Sequence, residues 1–141
     1  MIDINQETSF KNLSTNEFKN IVSNCHNCEL AKTRTNVVFG HGPIPCKIMM
    51  IGEGPGEQED LHGKPFIGRS GKLLTKILES AGINRETDTF ITNTVKCRPP
   101  ENRTPLSKEI KACRGLLIRQ IQLVKPKILI IGTADNKNIA K

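Results

Sequence analysis

The sequence predicts an α/β fold: a three-layer α/β/α arrangement around a short parallel sheet of three strands. Three observations carry that expectation. Two short apolar runs, Lys47-Ile48-Met49-Met50-Ile51 and Pro126-Lys127-Ile128-Leu129-Ile130-Ile131, each stop at a glycine. Between them lies a β-rich run, Thr89-Phe90-Ile91-Thr92-Asn93-Thr94-Val95. The stretches that separate these strands have helical apolar spacing, and a strand–helix–strand–helix–strand order implies right-handed crossovers and parallel pairing. Continuous apolar strands suit burial on both faces, so the first and third are expected to be buried.

The elements follow in order. Ser14 with Glu17 three residues on fits a capping box and predicts a short helix over residues 14–23. Residues 24–45 hold several turn formers and are expected to be irregular. After the first strand come a Gly/Pro loop and a polar stretch in which Glu59, Asp60 and His62 read as surface loop. Ser70 to Ala81 places Leu73, Leu74, Ile77 and Leu78 on one helical face and is closed by Gly82. Residues 98–105 contain three prolines and must be loop. Ser107, Ile110, Leu117, Ile118 and Ile121 give a second amphipathic helix. Residues 133–141 are mostly polar and supply no further strand. The expectation is one domain over 1–141, shortened at its C-terminal end, with an N-terminal helix region (1–23), a core (24–132) and a tail (133–141).

Composition narrows the classes. Leu, Ile, Val and Phe make up 38 of the 141 residues, above the fraction at which chains stay disordered and enough for one domain. No apolar run exceeds four residues, which excludes a membrane-spanning helix. The first six residues lack the basic and apolar parts of a signal peptide, so cytoplasmic residence is the expectation; a monomer is expected as well. Nine of the 21 basic side chains and two of the 14 acids fall within residues 90–130, so that stretch carries the whole net charge of +7. A localised basic field suits a polyphosphate partner, although a solvated helix face gives the same pattern.

Five cysteines, at 25, 28, 46, 97 and 113, are unlike structural disulfides in a reducing compartment. Cys25-x2-Cys28 has metal-ligand or redox spacing. A redox pair would sit between a strand and a helix, whereas this one follows a helix and enters polar loop. Four thiolates on one soft ion or cluster is the better reading. Spacing alone leaves zinc and iron–sulfur both open.

The chemistry-bearing loops leave the carboxyl ends of strands, where open parallel sheets bind ligands. Gly52-Glu53-Gly54-Pro55-Gly56 is not a dinucleotide fingerprint, because Glu57 stands where glycine is needed. Nor is Arg69-Ser70-Gly71-Lys72 a P-loop, since Phe66 and Leu73 occupy the required Gly and Ser/Thr positions. What remains is a carboxylate, Glu53, among glycines; an aromatic, Phe66, outside any periodic apolar face; and an amide, Asn93, at the end of the second strand. A buried amide offers a donor and an acceptor to a base edge, while a turn-forming Asn is the plainer alternative.

Three blocks in this order are Gly52-Glu53-Gly54-Pro55-Gly56-x2-Glu59-Asp60, Gly63-x-Pro65-Phe66-x-Gly68-Arg69-x-Gly71 and Thr92-Asn93-x2-Lys96-Cys97-Arg98-Pro99-Pro100-x-Asn102-Arg103-x-Pro105. Together they resemble the family 4 uracil-DNA glycosylases, iron–sulfur members of the uracil-DNA glycosylase superfamily. The likeness runs from about Cys25 to Gly132. It implies a 4Fe–4S cluster held by Cys25, Cys28, Cys97 and Cys113, with zinc the lesser alternative. Cys46 matches no ligand position and reads as a small buried hydrophobe. The resemblance further implies base excision repair on uracil-containing DNA, with hydrolysis of an N-glycosidic bond after the deoxyuridine is flipped out.

By the same resemblance, Gly54, Phe66 and Asn93 would bind the base, Phe66 by stacking and Asn93 through its polar edge. Glu53 would place water or stabilise the sugar cation, and Glu59 and Asn102 would shape the pocket. Pro55, Gly56, Arg98 and Arg103 would meet the DNA, with Lys96 adding to the phosphate contacts. A later His-Pro-Ser block of that family is absent here, since His26, His41 and His62 all lack a following Pro-Ser. Impaired turnover is therefore expected, and a non-catalytic iron–sulfur DNA-binding remnant is the alternative.

Overall fold

The computed structural model describes residues 10–132. The strands are Ile48–Gly52 (β1), Thr89–Asn93 (β2) and Ile128–Ile131 (β3), all parallel and ordered β2-β1-β3. In register, Gly52 lies beside Asn93 and Ile51 beside both Thr92 and Ile131, so β1 and β2 end level with each other. The first helix is Thr15–Ser23 (α1), capped by Ser14, whose Oγ accepts from the Glu17 N–H at 3.1 Å while its own N–H donates to Glu17 Oε1. The capping box read from the sequence is thus present.

Between β1 and β2 stand Glu57–His62 (α2), Arg69–Ser80 (α3) and the single turn Arg85–Asp88 (α4); Ser107–Val124 (α5) joins β2 to β3. Helix α2 corrects the loop reading of Glu59, Asp60 and His62. The acids that made the stretch look like surface are helix-compatible, and Asp60 is buried because it accepts backbone N–H groups from Thr35 and Asn36. Those bonds fasten the segment after the Cys pair to α2.

The core is an edge-to-face aromatic chain from Phe10 through Phe18 and Phe39 to Phe90, with centroids 5.2, 5.9 and 6.2 Å apart. Val22, Met49, Ile51, Leu116 and Val124 pack around it. Four of the five phenylalanines are spent in this way, and the fifth, Phe66, is not part of it.

Two burial expectations fail. β3 forms where its sequence says, but all four of its residues are exposed among the described residues. In α3, Leu78 is buried while Leu73 and Ile77 stand exposed, so only part of the apolar stripe is covered. Periodicity locates an apolar face; it does not supply the element that covers it. Residues 133–141, expected to form a polar tail, lie outside the described residues, as do residues 1–9.

Candidate functional site

The level ends of β1 and β2 create the site. Gly52 closes β1 in extended conformation, and a side chain there would collide with two groups at once. A Cβ would lie 2.4 Å from Phe66 Cζ and 2.5 Å from Asn93 Oδ1. The aromatic ring and the amide therefore converge over a backbone that only glycine permits to be so bare. Beyond Gly52, the Thr94 N–H and hydroxyl both donate to the Gly52 carbonyl, and the Val95 N–H donates to the Glu53 carbonyl. These bonds bind the two strand-end turns to each other.

A cavity of about 330 Å³ opens there. It is lined by Glu53, Gly54, Pro55, Gly56, Glu59, Phe66, Asn93, Asn102 and Arg103, the proposed non-metal residues except Lys96 and Arg98. Ser70, Gly71, Pro99 and Pro105 complete the wall; the last three stand in the motif blocks, but none of the four is given a role there. The volume is at the lower end of the range for small-molecule sites. Asn93 is buried on its strand rather than in a turn, and Phe66 is half-buried at the cavity rather than plugged into the core.

Glu59 is committed to architecture. Its Oε1 accepts from the Gly56 N–H at 2.9 Å, and its Oε2 accepts from the N–H groups of Ile67 and Gly68 at 3.0 and 2.7 Å. One carboxylate thus ties the glycine turn to the Phe66 loop and neutralises the open N-terminus of α3. Phe66 itself has φ of 51°, a left-handed conformation that costs a non-glycine residue about 1–2 kcal/mol and persists only where the surroundings impose it.

The opposite wall is the proline loop. Glu101 and Asn102 both adopt left-handed conformations, φ 58° and 57°, and Arg98 Nε donates to Asn102 Oδ1 at 2.8 Å. Arg98 therefore orients the Asn102 amide. Arg103 does not stand as a free phosphate contact. It forms a two-pronged ion pair with buried Glu109, at 2.9 and 2.8 Å, and Glu109 also caps α5 through the Leu106 N–H. The bond from Arg103 is the main cause that holds the Glu109 carboxyl below its ordinary value. Lys96 is a plainer correction, because it is 1% exposed and cannot reach DNA. Its ammonium donates to Thr92 Oγ1 and to the Asn93 carbonyl, and burial pushes its pKa down to about 7.

On the far side of β2 lie the cysteines. Cys25 follows α1, Cys28 precedes a 3-10 turn at Glu29–Lys32, Cys97 follows β2, and Cys113 faces inward from α5. All are free thiols; Cys25, Cys97 and Cys113 are buried and Cys28 half-buried. Asn27 Nδ2 reaches the Ala112 carbonyl at 3.5 Å, and Arg34 Nη1 donates to the Cys25 carbonyl at 2.6 Å and contacts Cys97 Sγ at 3.5 Å. Cys25 raises the pKa of Cys28, Cys97 and Cys113 alike, so the four thiols share one electrostatic neighbourhood. Burial is the leading cause in each case and pushes Cys97 up to about 12. Among the described residues no three His, Cys, Asp or Glu side chains form a ready single-ion site. Four thiolates suit a tetrahedral zinc, at bonds of about 2.3 Å, and an iron–sulfur cluster alike. The donor set fits a four-thiolate group. Cys46 is buried, as expected of a small hydrophobe.

The family model of the uracil DNA glycosylase superfamily matches residues 39–136, which span both strand-end turns and the proline loop. The chain belongs to the uracil DNA glycosylase superfamily. Within that superfamily it is 50% identical over 109 residues to the Type-4 uracil-DNA glycosylase of Thermotoga maritima, covering 77% of this chain and 56% of the relative. To the Type-4 enzyme of Saccharolobus solfataricus it is 54% identical over 110 residues, covering 77% and 50%. To the Type-5 uracil-DNA glycosylase of Thermus thermophilus identity is 30% over 89 residues, covering 54% and 40%. The chain spans about half the length of the curated relatives it matches. Among the described residues, no histidine lines the cavity. His41 pairs with Glu86 at 2.6 Å, while His26 and His62 bond to backbone carbonyls.

Proposed function

We propose that this chain recognises and excises uracil from DNA by hydrolysing the N-glycosidic bond, in base excision repair. One observation carries the reading: Phe66 and Asn93 meet over Gly52 in a cavity that Glu53 also lines. A flipped uracil stacks on the Phe66 ring and presents its polar edge to the Asn93 amide. Cytosine reverses donor and acceptor at that edge, so a fixed amide rejects it. The transition state combines a cationic sugar with an anionic base, and Glu53 at the cavity wall stabilises the cation or orders the attacking water. Gly54, Pro55 and Gly56 let the DNA backbone approach, and Arg98 supplies positive charge at the rim. The protein would work as a cytoplasmic monomer.

Cys25, Cys28, Cys97 and Cys113 would hold a 4Fe–4S cluster, which when bound cross-links the N-terminal segment, the β2 exit and α5. The likeness to the Type-4 uracil-DNA glycosylases supports that choice over zinc, and no step of the excision passes through it.

The test is incubation of purified protein with a uracil-containing oligonucleotide, followed by alkali to cut abasic sites. Cleavage at uracil and not at cytosine, lost about 100- to 1000-fold in Asn93→Ala, is the expected result. A second reading, a non-catalytic DNA-binding iron–sulfur protein, is favoured by the absence of a histidine among the described cavity residues. It predicts salt-dependent binding to DNA with no abasic product at enzyme excess.

A further inference from the structure

We infer that Arg85 is a positioning residue that sets the Phe66 ring over the cavity floor, an inference that rests on the base-binding reading of that cavity. Its guanidinium grips the Phe66 loop through carbonyls, where Glu59 grips it through amides. Nη1 donates to the Phe66 carbonyl at 2.7 Å, to Thr75 Oγ1 at 2.9 Å and to the Gly71 carbonyl at 3.2 Å, and Nη2 donates to the Pro65 carbonyl at 2.7 Å. Two of these acceptors flank the left-handed residue itself, so the planar fork fixes the peptide planes on both sides of the Phe66 α-carbon. Glu59 takes the N–H groups of Ile67 and Gly68 immediately downstream. A cation on the carbonyls and an anion on the amides thus hold one strained loop.

The platform beneath Arg85 is rigid. Asn84 Oδ1 caps α4 by accepting from the N–H groups of Glu86 and Thr87, and Asp88 Oδ2 accepts from the Asn84 N–H at 2.7 Å. The Arg85 carbonyl accepts from Thr89 Oγ1, and Thr89 is the buried first residue of β2. The strand that ends in Asn93 therefore also begins at the anchor of Phe66, so the two base-contacting groups are referenced to one element. Gly71 completes the arrangement, since a Cβ there would fall 1.7 Å from the Phe66 carbonyl oxygen that Arg85 grips.

The experiment compares wild type, Arg85→Gln, Arg85→Lys, Phe66→Leu and the Arg85→Gln/Phe66→Leu double variant of the full chain. kcat/KM on a uracil-containing oligonucleotide is expected to fall about 100-fold in Arg85→Gln, with the loss in kcat rather than KM. It should recover in part in Arg85→Lys, and the double variant should be no worse than Phe66→Leu. Independent multiplication of the two losses, or no loss at all, overturns the inference. The same proteins labelled with 4-fluorophenylalanine give a readout that needs no turnover. The fluorine resonance missing from Phe66→Leu should shift and broaden in Arg85→Gln while the other four stay in place. If wild type excises nothing, the base-binding reading fails, and an unmoved Phe66 resonance would separately sink the clamp.

Discussion

β2 and β3 flank the same central strand and have opposite fates. β2, Thr-Phe-Ile-Thr-Asn, carries three polar residues and is 0–2% exposed throughout. β3, Ile-Leu-Ile-Ile, is wholly apolar and 44–64% exposed. Composition alone would have ranked them the other way. The outer edge of β2 is covered because His41 and Ile91 exchange two backbone hydrogen bonds of 2.9 Å and the Val38 N–H donates to the Lys96 carbonyl. The two threonines of β2 survive burial because each is bonded: the Thr92 hydroxyl donates to the Phe39 carbonyl, and that of Thr89 to the Arg85 carbonyl. No described strand pairs with β3 on its outer side. Burial is decided by what lies against a strand, and the functional groups have gathered on the covered side.

Four measurements test that contrast, in order of falling effect. Cys97→Ser, on the β2 side, should remove the visible absorbance of anaerobically purified protein and cost more than about 4 kcal/mol in denaturant unfolding. A variant as stable and as coloured as wild type would show that the thiols are not a shared staple. Phe90→Ala, in the middle of β2, should cost about 3–5 kcal/mol, because it removes the end of the aromatic chain.

Glu109→Gln should cost about 2 kcal/mol by taking the charge partner from Arg103. Its pH dependence follows from the lowered carboxyl value. The pair stabilises fully at neutral pH, above the unfolded-state value of about 4.3, and that contribution drains away as pH falls through the lower folded value. Urea titrations of wild type and variant should therefore converge below about pH 4, and a gap that stays constant there would contradict the assignment. The smallest effect belongs to β3. Ile130→Thr should change stability by no more than about 0.5 kcal/mol, and a loss comparable with Phe90→Ala would mean that β3 is covered after all.

Much of the candidate site is legible in the sequence. Glycine at 52 and amide at 93 are what a bare strand end and a base-reading edge require, and the structure brings them within contact. Lys96 and Arg103 show the limit of such reading. Both sit in the most basic stretch of the chain, yet one is buried beneath Thr92 and Asn93 and the other is locked to a glutamate six residues away. Charge counted along a chain does not reveal which side chains have been consumed internally. Arg85 was missed for the converse reason: three of its partners are carbonyls 14–20 residues upstream, and backbone acceptors leave no mark on a residue pattern.

Local chemistry was enough to determine the capped first helix, the three strands and the turn residues at their ends, because period, β-branching and glycine act over a few residues. Which apolar faces would be covered, which cations would be spent on carbonyls and carboxylates, and how a left-handed phenylalanine would be held were settled only in three dimensions. Those outcomes depend on contacts between segments tens of residues apart, whose energies exist only once the chain has closed upon itself.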